Sequence, residues 1–136
     1  MTTWLGAVSH DHVRRSLELG TARIGHDKRT GLARMKAGDW LIYYSPRAPL
    51  ESSESLQSFT AIGVVADGEI WQADEGNFKP WRRRVNYVTN ASETPIRPLM
   101  EIFDLPSVPN WGYQLRRGLL ALSDTDFTIV QSAMNA

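Results

Sequence analysis

The chain has 136 residues, enough for one domain with a sizeable core, and its 42% hydrophobic and 22% charged content excludes a disordered polymer. It holds no cysteine, which excludes disulfides, thiolate catalysis and cysteine-ligated metals. Net charge is zero, against a generic nucleic-acid coat protein, which would be basic throughout.

Thr3–Ser9 reads as a first strand, with Trp4, Gly6 and Val8 on one side and Leu5 and Ala7 on the other. Ser9 stands at the N-cap of a helix over His10–Leu19, where Val13 and Leu17 form an i, i+4 apolar pair and Gly20 is the stop. Thr21–Thr30 is polar and basic without a clear period. Leu32–Lys36 predicts a helical turn and Ala37-Gly38-Asp39 a turn into the next strand. That strand, Asp39–Ser45, is almost wholly apolar and aromatic, so it belongs in the middle of a sheet covered on both faces, ended by Pro46.

Residues 46–58 are rich in Pro, Ser and Glu and read as a surface loop. Phe59–Val65 is β-prone, and Asp67-Gly68 predicts a tight hairpin into Glu69–Ala73. After a turn at Asp74–Asn77 comes the arginine strand, Trp81–Val88. Pro95–Leu105 reads as a short strand or turn running into a helical piece, Trp111–Arg117 as a helical turn with Trp111 and Leu115 on one face, and Leu119–Leu122 as a last strand. Ser123 caps the final helix with an acid at N3, and Phe127, Val130 and Met134 share a face. About six mostly contiguous strands with short helices give an α+β domain: a curved mixed sheet or small barrel, one domain over 1–136.

The zero net charge conceals an alternation. Residues 1–50 carry eight Lys/Arg against four Asp/Glu, 51–80 one against six, and 81–117 six against three. A local basic face can therefore exist on a neutral molecule. No apolar run approaches the ~20 residues of a membrane span, and Met1–Gly6 lacks the basic-then-apolar pattern of a secretion signal. A cytoplasmic protein without a membrane partner is expected, with a monomer as the default.

Chemistry-bearing clusters are few. Ser9-His10-Asp11-His12 holds nucleophile, base and acid types, but neighbours on a helix do not face one another, so neither a triad nor a metal site forms locally. The acids of 51–75 form no pair in an apolar setting, and there is no phosphate loop or dinucleotide fingerprint. No catalytic residue, cofactor or metal is expected. Five tryptophans exceed what a plain core requires. Along the arginine strand the alternation sorts Trp81, Arg83, Val85 and Tyr87 to one side and Arg82, Arg84 and Asn86 to the other. Trp81 and Trp71 suit either the core or a pocket wall. Arg82 and Arg84 suit a solvated face or a phosphate contact, which Arg116 could extend. Trp71 beside Gln72 offers a ring and an amide, the pair that base recognition uses.

In order and spacing the chain resembles the EVE domain family, relatives of the YTH and PUA domains. The likeness runs through Trp4, Ser9-His10-Asp11-His12, Arg34-Met35-Lys36-Ala37-Gly38-Asp39, Tyr43-Tyr44-Ser45-Pro46 and Phe59-Thr60-Ala61-Ile62-Gly63. It continues in Phe78-Lys79-Pro80-Trp81-Arg82-Arg83, Pro95-Ile96-Arg97-Pro98-Leu99, Trp111-Gly112, Leu115-Arg116 and Asp126-Phe127. The resemblance implies a PUA-like pseudo-barrel and a concave pocket that, in related domains, holds a modified base flipped from DNA or RNA. It implies pocket walls at Trp4 and Ser9, at Tyr44-Ser45-Pro46 and across Phe78–Arg82. The expected site is then Trp4, Ser9, His10, Tyr44, Ser45, Pro46, Trp71, Gln72, Phe78, Trp81 and Arg82, with Arg82, Arg84 and Arg116 on phosphates. The leading expectation is a non-catalytic reader of a methylated nucleobase in nucleic acid. The alternatives are a small-molecule or nucleotide binder, or an enzyme with His10 in the same pocket, and a plain interaction module.

Overall fold

The computed structural model describes residues 1–23, 29–47, 55–77, 79–107, 109–116 and 119–136. Its centre is β3 (Trp40–Arg47), in which Leu41, Ile42 and Tyr43 are fully buried. On one side β3 pairs in parallel with β1 (Thr3–Ala7), which pairs antiparallel with β8 (Leu119–Leu122). On the other it meets β4 (Ser55–Val65), then β6 (Trp81–Tyr87) and β2 (Thr21–Ala22). The order is β2-β6-β4-β3-β1-β8, with β5 (Trp71–Gln72) on β6 and β7 (Thr94–Pro95) on β4.

An apolar cluster lies on each face, which is why β3 is hydrophobic at consecutive positions. Ile42, Leu5, Phe59 and Leu120 join Val130 of α4 (Asp124–Ala133), Met134 at its C-cap and Leu115 of α3 (Trp111–Arg116). Leu41, Tyr43, Ala61 and Val65 join Val13 of α1 (His10–Leu19) and Leu32 of α2 (Arg29–Arg34). The expected α+β class and curved mixed sheet are what the chain forms.

The helices follow their local signals closely. Gly20 closes α1 at φ 65, its N–H on the Ser16 carbonyl. Ser123 caps α4 by accepting the Asp126 N–H at 3.1 Å. The expected Val13–Leu17 pair does not form the inward face of α1: Val13 and Ser16 are buried, and Leu17 stays 42% exposed. Ser16 thus takes the inward position that the apolar pattern assigns to Leu17. The turn expected at Leu32–Lys36 lies earlier, as α2.

Three strand boundaries differ from expectation. Pro46 does not end β3; the strand runs on to Arg47 through a register shift between Ser45 and Arg47, a place where a missing ladder N–H is tolerated. β4 begins at Ser55, inside the stretch expected as loop, while residues 48–54 lie outside the described residues. Asp67-Gly68 bends the chain, with Gly68 at φ 130, but closes no hairpin with β4. The edge of β4 is already taken by β6, through Gly63↔Tyr87, Val64↔Asn86, Val65↔Val85 and Ala66 N–H to the Arg84 carbonyl. Trp71 and Gln72 pair instead with Arg82 and Trp81.

Candidate functional site

The parallel pairing of β1 and β3 sets Ala7 opposite Tyr44, and the Val8 N–H bonds the Tyr44 carbonyl at 3.1 Å. The chain then turns directly into α1, so the first turn of that helix stands at the carboxyl ends of both strands. Ser9 is 7% exposed, and its Oγ has no hydrogen-bond partner. It occupies the N-cap position but makes no side-chain cap bond, whereas an N-cap hydroxyl ordinarily accepts a first-turn N–H. His10 Nε2 lies 2.7 Å from Glu93 Oε2. Glu93 leads into β7, which pairs Thr94 with Phe59, so the tip of α1 is fastened to the early half of β4.

In the first cluster the rings form a chain. Tyr44, half-buried, meets Phe59 edge-on at 6.0 Å, and Phe59 meets Phe103 at 5.8 Å and 69°. Burial pushes the Tyr44 phenol above its ordinary value, so it stays protonated and can donate at neutral pH. Ser45 is buried with its Oγ 2.8 Å from that of Thr60, and Pro46 is exposed. Ser9, His10, Tyr44, Ser45 and Pro46 thus lie at one end of the sheet, where a helix N-terminus and an imidazole stand near a half-buried phenol whose ring packs into the first cluster.

The remaining expected site residues are elsewhere. Tyr44 is level with Phe59, whereas Val85 is level with Val65 and Trp81 lies four residues further on. That is about ten residue rises, or roughly 30 Å of strand path. The single wall expected from Tyr44 to Trp81 is therefore two separate places. Trp4 sits near the opposite end of β1 from Ser9. Its Nε1 donates to Asp39 Oδ2 at 2.9 Å and the Arg34 guanidinium covers its ring at 4.8 Å. Burial pushes the Asp39 carboxyl up, but the Thr2 and Lys36 N–H groups and the Trp4 indole together hold it below its ordinary value.

On the β5–β6 hairpin Trp81 is half-buried against the second cluster. The Gln72 amide is spent inside the hairpin, on the Lys79 carbonyl at 3.0 Å. Arg82 does not stand at a solvated rim. It is buried, and its Nη2 donates to Glu75 Oε2 at 2.6 Å; Arg15 Nη2 reaches the same oxygen at 3.1 Å. Arg82 first and Arg15 second hold the Glu75 carboxyl below its ordinary value. Arg84 is exposed, its guanidinium 5.5 Å over Trp71. Arg83 points inward, Nη1 on the Met35 carbonyl at 2.7 Å. Phe78 lies outside the described residues, as does the Arg116 side chain.

Several neighbours had no signal in the sequence reading: Phe103, Glu93 and Glu75 come beside the expected residues only through long-range pairing. Nor had a groove of about 580 Å³ between α1 and β4, lined by Leu17, Gly20, Thr60, Ala61 and residues 85–91. It opens because the partner of β4 changes from β6 at Gly63 to β7 at Phe59. None of its lining residues is charged. Among the described residues no three histidine or carboxylate side chains converge as metal ligands would, and no helix is long and apolar enough to cross a membrane.

A curled mixed sheet with helices on both faces is the PUA-like architecture. The chain belongs to the EVE domain family, whose profile matches residues 2–133. It is 44% identical over 135 residues to a UPF0310 protein of Renibacterium salmoninarum, covering 98% of this chain and 95% of that one. A UPF0310 protein of Mycobacterium avium is 40% identical over 136 residues, covering 98% of each. A hypothetical protein from Leishmania major shares the fold at TM-score 0.59 and 12% identity, covering 99% of this chain and 95% of that one. A protein of Rhodopseudomonas palustris solved by NMR follows at 0.56 and 12%, covering 99% and 94%.

Proposed function

We propose that this domain is a non-catalytic reader of a modified, flipped nucleobase, which enters at the carboxyl ends of β1 and β3. The observation that carries the reading is the buried Ser9 hydroxyl, which has no partner although it stands at a helix N-terminus, one residue beyond the Val8 N–H that bonds the Tyr44 carbonyl. Buried polar groups are rarely left without a partner, so an orphan there calls for one. A flipped base supplies it: a π-face for Tyr44 and polar atoms on its edge for Ser9 and His10.

The test is binding of short DNA and RNA strands, each methylated and plain at one base. Stacking contributes ~1–3 kcal/mol per base, so Tyr44→Ala should weaken the methylated strand about 5–150-fold and the plain strand far less. Ser9→Ala should act in the same direction. Equal losses on both strands, or no binding by the wild-type protein, would sink the reading. The uncharged groove favours a second reading, a binder of a small neutral molecule, since about 300–1,000 Å³ is the usual pocket size. Saturable binding of a free nucleoside, unaffected by Tyr44→Ala, is its signature.

A further inference from the structure

We propose that Arg15 and Arg82 form a phosphodiester site, and that the Glu75 carboxylate holds the place of the phosphate until nucleic acid displaces it. The proposal rests on the base-reading function for its ligand, but the clip itself can be tested without that function. Three separate elements meet at one oxygen: Arg15 from α1, Arg82 from β6 and Glu75 from the turn between β5 and β6. Two guanidinium groups around one acceptor oxygen is an arrangement that serves a phosphate as well as a carboxylate, since both present a delocalised negative charge to planar donors.

The three partners are unequal in mobility. The Arg82 side chain is 11% exposed and fixed in the strand, so its guanidinium needs an anion wherever Glu75 goes. Arg15 is 55% exposed on the helix surface and can follow either anion. Glu75 sits among exposed Asp74, Gly76 and Asn77, with Gly76 at φ 78, so its carboxylate can be hydrated once released. Arg84, two residues along β6 on the face of Arg82, carries an exposed guanidinium over Trp71. A strand whose phosphate replaced Glu75 would find there a second cation and a stacking ring. This explains why a family member with no net charge can carry a phosphate contact: the cations are present but neutralised internally.

Glu75→Gln is the deciding variant, measured by oligonucleotide anisotropy over a range of salt. Removing the stand-in should raise affinity for methylated and plain strands by the same factor, about 3–10-fold. The plot of log K against log salt should steepen by about 0.7 for one more phosphate neutralised on a single strand. Arg15→Gln should cost little alone and cancel the gain in the E75Q background. Glu75→Asp, too short to reach both arginines, should give a smaller gain and covers the case in which E75Q fails to fold. Inorganic phosphate, titrated into E75Q and followed by NMR at the arginine Nε–H groups, should shift Arg15 and Arg82. Absence of that shift, or folded variants that bind no tighter with an unchanged salt slope, overturns the proposal. If the wild type binds no strand but E75Q still takes phosphate, the base-reading function fails and the clip stands.

Discussion

Gly63→Ala should unfold the domain at a markedly lower temperature, for a reason that can be measured in ångströms. Gly63 lies on β4 opposite Tyr87 of β6. A Cβ added there would stand 2.7 Å from the Asn86 carbonyl oxygen, 2.8 Å from the Tyr87 Cα and 2.9 Å from Val85 Cγ1. Carbon atoms prefer about 3.5–4.0 Å, so the overlap is most of an ångström. Two of the three obstacles are backbone, and the third belongs to a valine that is itself buried. Relief requires β6 to move off β4, which loosens the three pairs from Gly63 to Val65 and the Val88 N–H bond to Ile62. Overpacking of this kind costs about 1–3 kcal/mol, and a backbone clash belongs at the upper end. For a domain of this size about 3 kcal/mol lowers Tm by roughly 10 °C. Thermal unfolding followed by circular dichroism reads it, with Gly112→Ala as the control. Nothing lies within 4 Å of a Cβ at Gly112, inside α3, so alanine there should raise stability by about 0.5–1 kcal/mol. A Gly63→Ala protein melting within about 2 °C of the wild type would refute the close approach of β6 to β4 at this position.

Asp39→Asn should cost about 1–3 kcal/mol, since three donors share the carboxylate and an amide oxygen serves them less well. Because the folded Asp39 carboxyl is held below its ordinary value, its contribution is present above the unfolded value and lost as pH falls through the folded one. Urea melts of the wild type between pH 5 and about 2 should show that loss, and the Asn variant should lack this part of the slope. Asp126→Ala should cost about 2–4 kcal/mol by stranding the Asp104 and Leu105 N–H groups it accepts at 2.7 and 2.9 Å. Amide exchange at Leu105 should accelerate with it; a protected amide there would mean another acceptor takes over. Tyr43→Phe should cost about 1–2 kcal/mol in chemical denaturation, because the phenol bonds both the N–H and the carbonyl of Arg23.

The parts of the fold legible in sequence are those whose cause is local. His10–Leu19 ends where Gly20 reaches φ 65, and α4 begins where Ser123 meets the Asp126 N–H. The apolar run of β3 also announces itself, because a strand covered on both faces needs no alternation. What escaped is the choice of partner. Asp67-Gly68 has the composition of a hairpin turn, yet β6 arrives from further along the chain to occupy the edge of β4. Alternation sorted the arginines of β6 into two sets, but could not say that Glu75 and Arg15 would close over Arg82. The site was half legible for the same reason. Ser9 and Tyr44 were named from the family pattern, and parallel pairing makes them neighbours. Trp81 was named from the same pattern and ends up far along the strand path.

The place of β1 in the sheet also governs the order in which the domain can fold. Its outer edge is covered by β8, where Thr3 meets Leu122 and Trp4 meets Ala121. During synthesis at about 5–20 residues per second, that edge therefore stays uncovered for several seconds after β1 itself has been made. Loop closure over such a span is slow and comes late. Until it occurs, β1 and β3 present an apolar parallel pair with a free side, the kind of edge that pairs with other chains. The arrival of β8 thus replaces the β1 edge with the four-residue edge of β8.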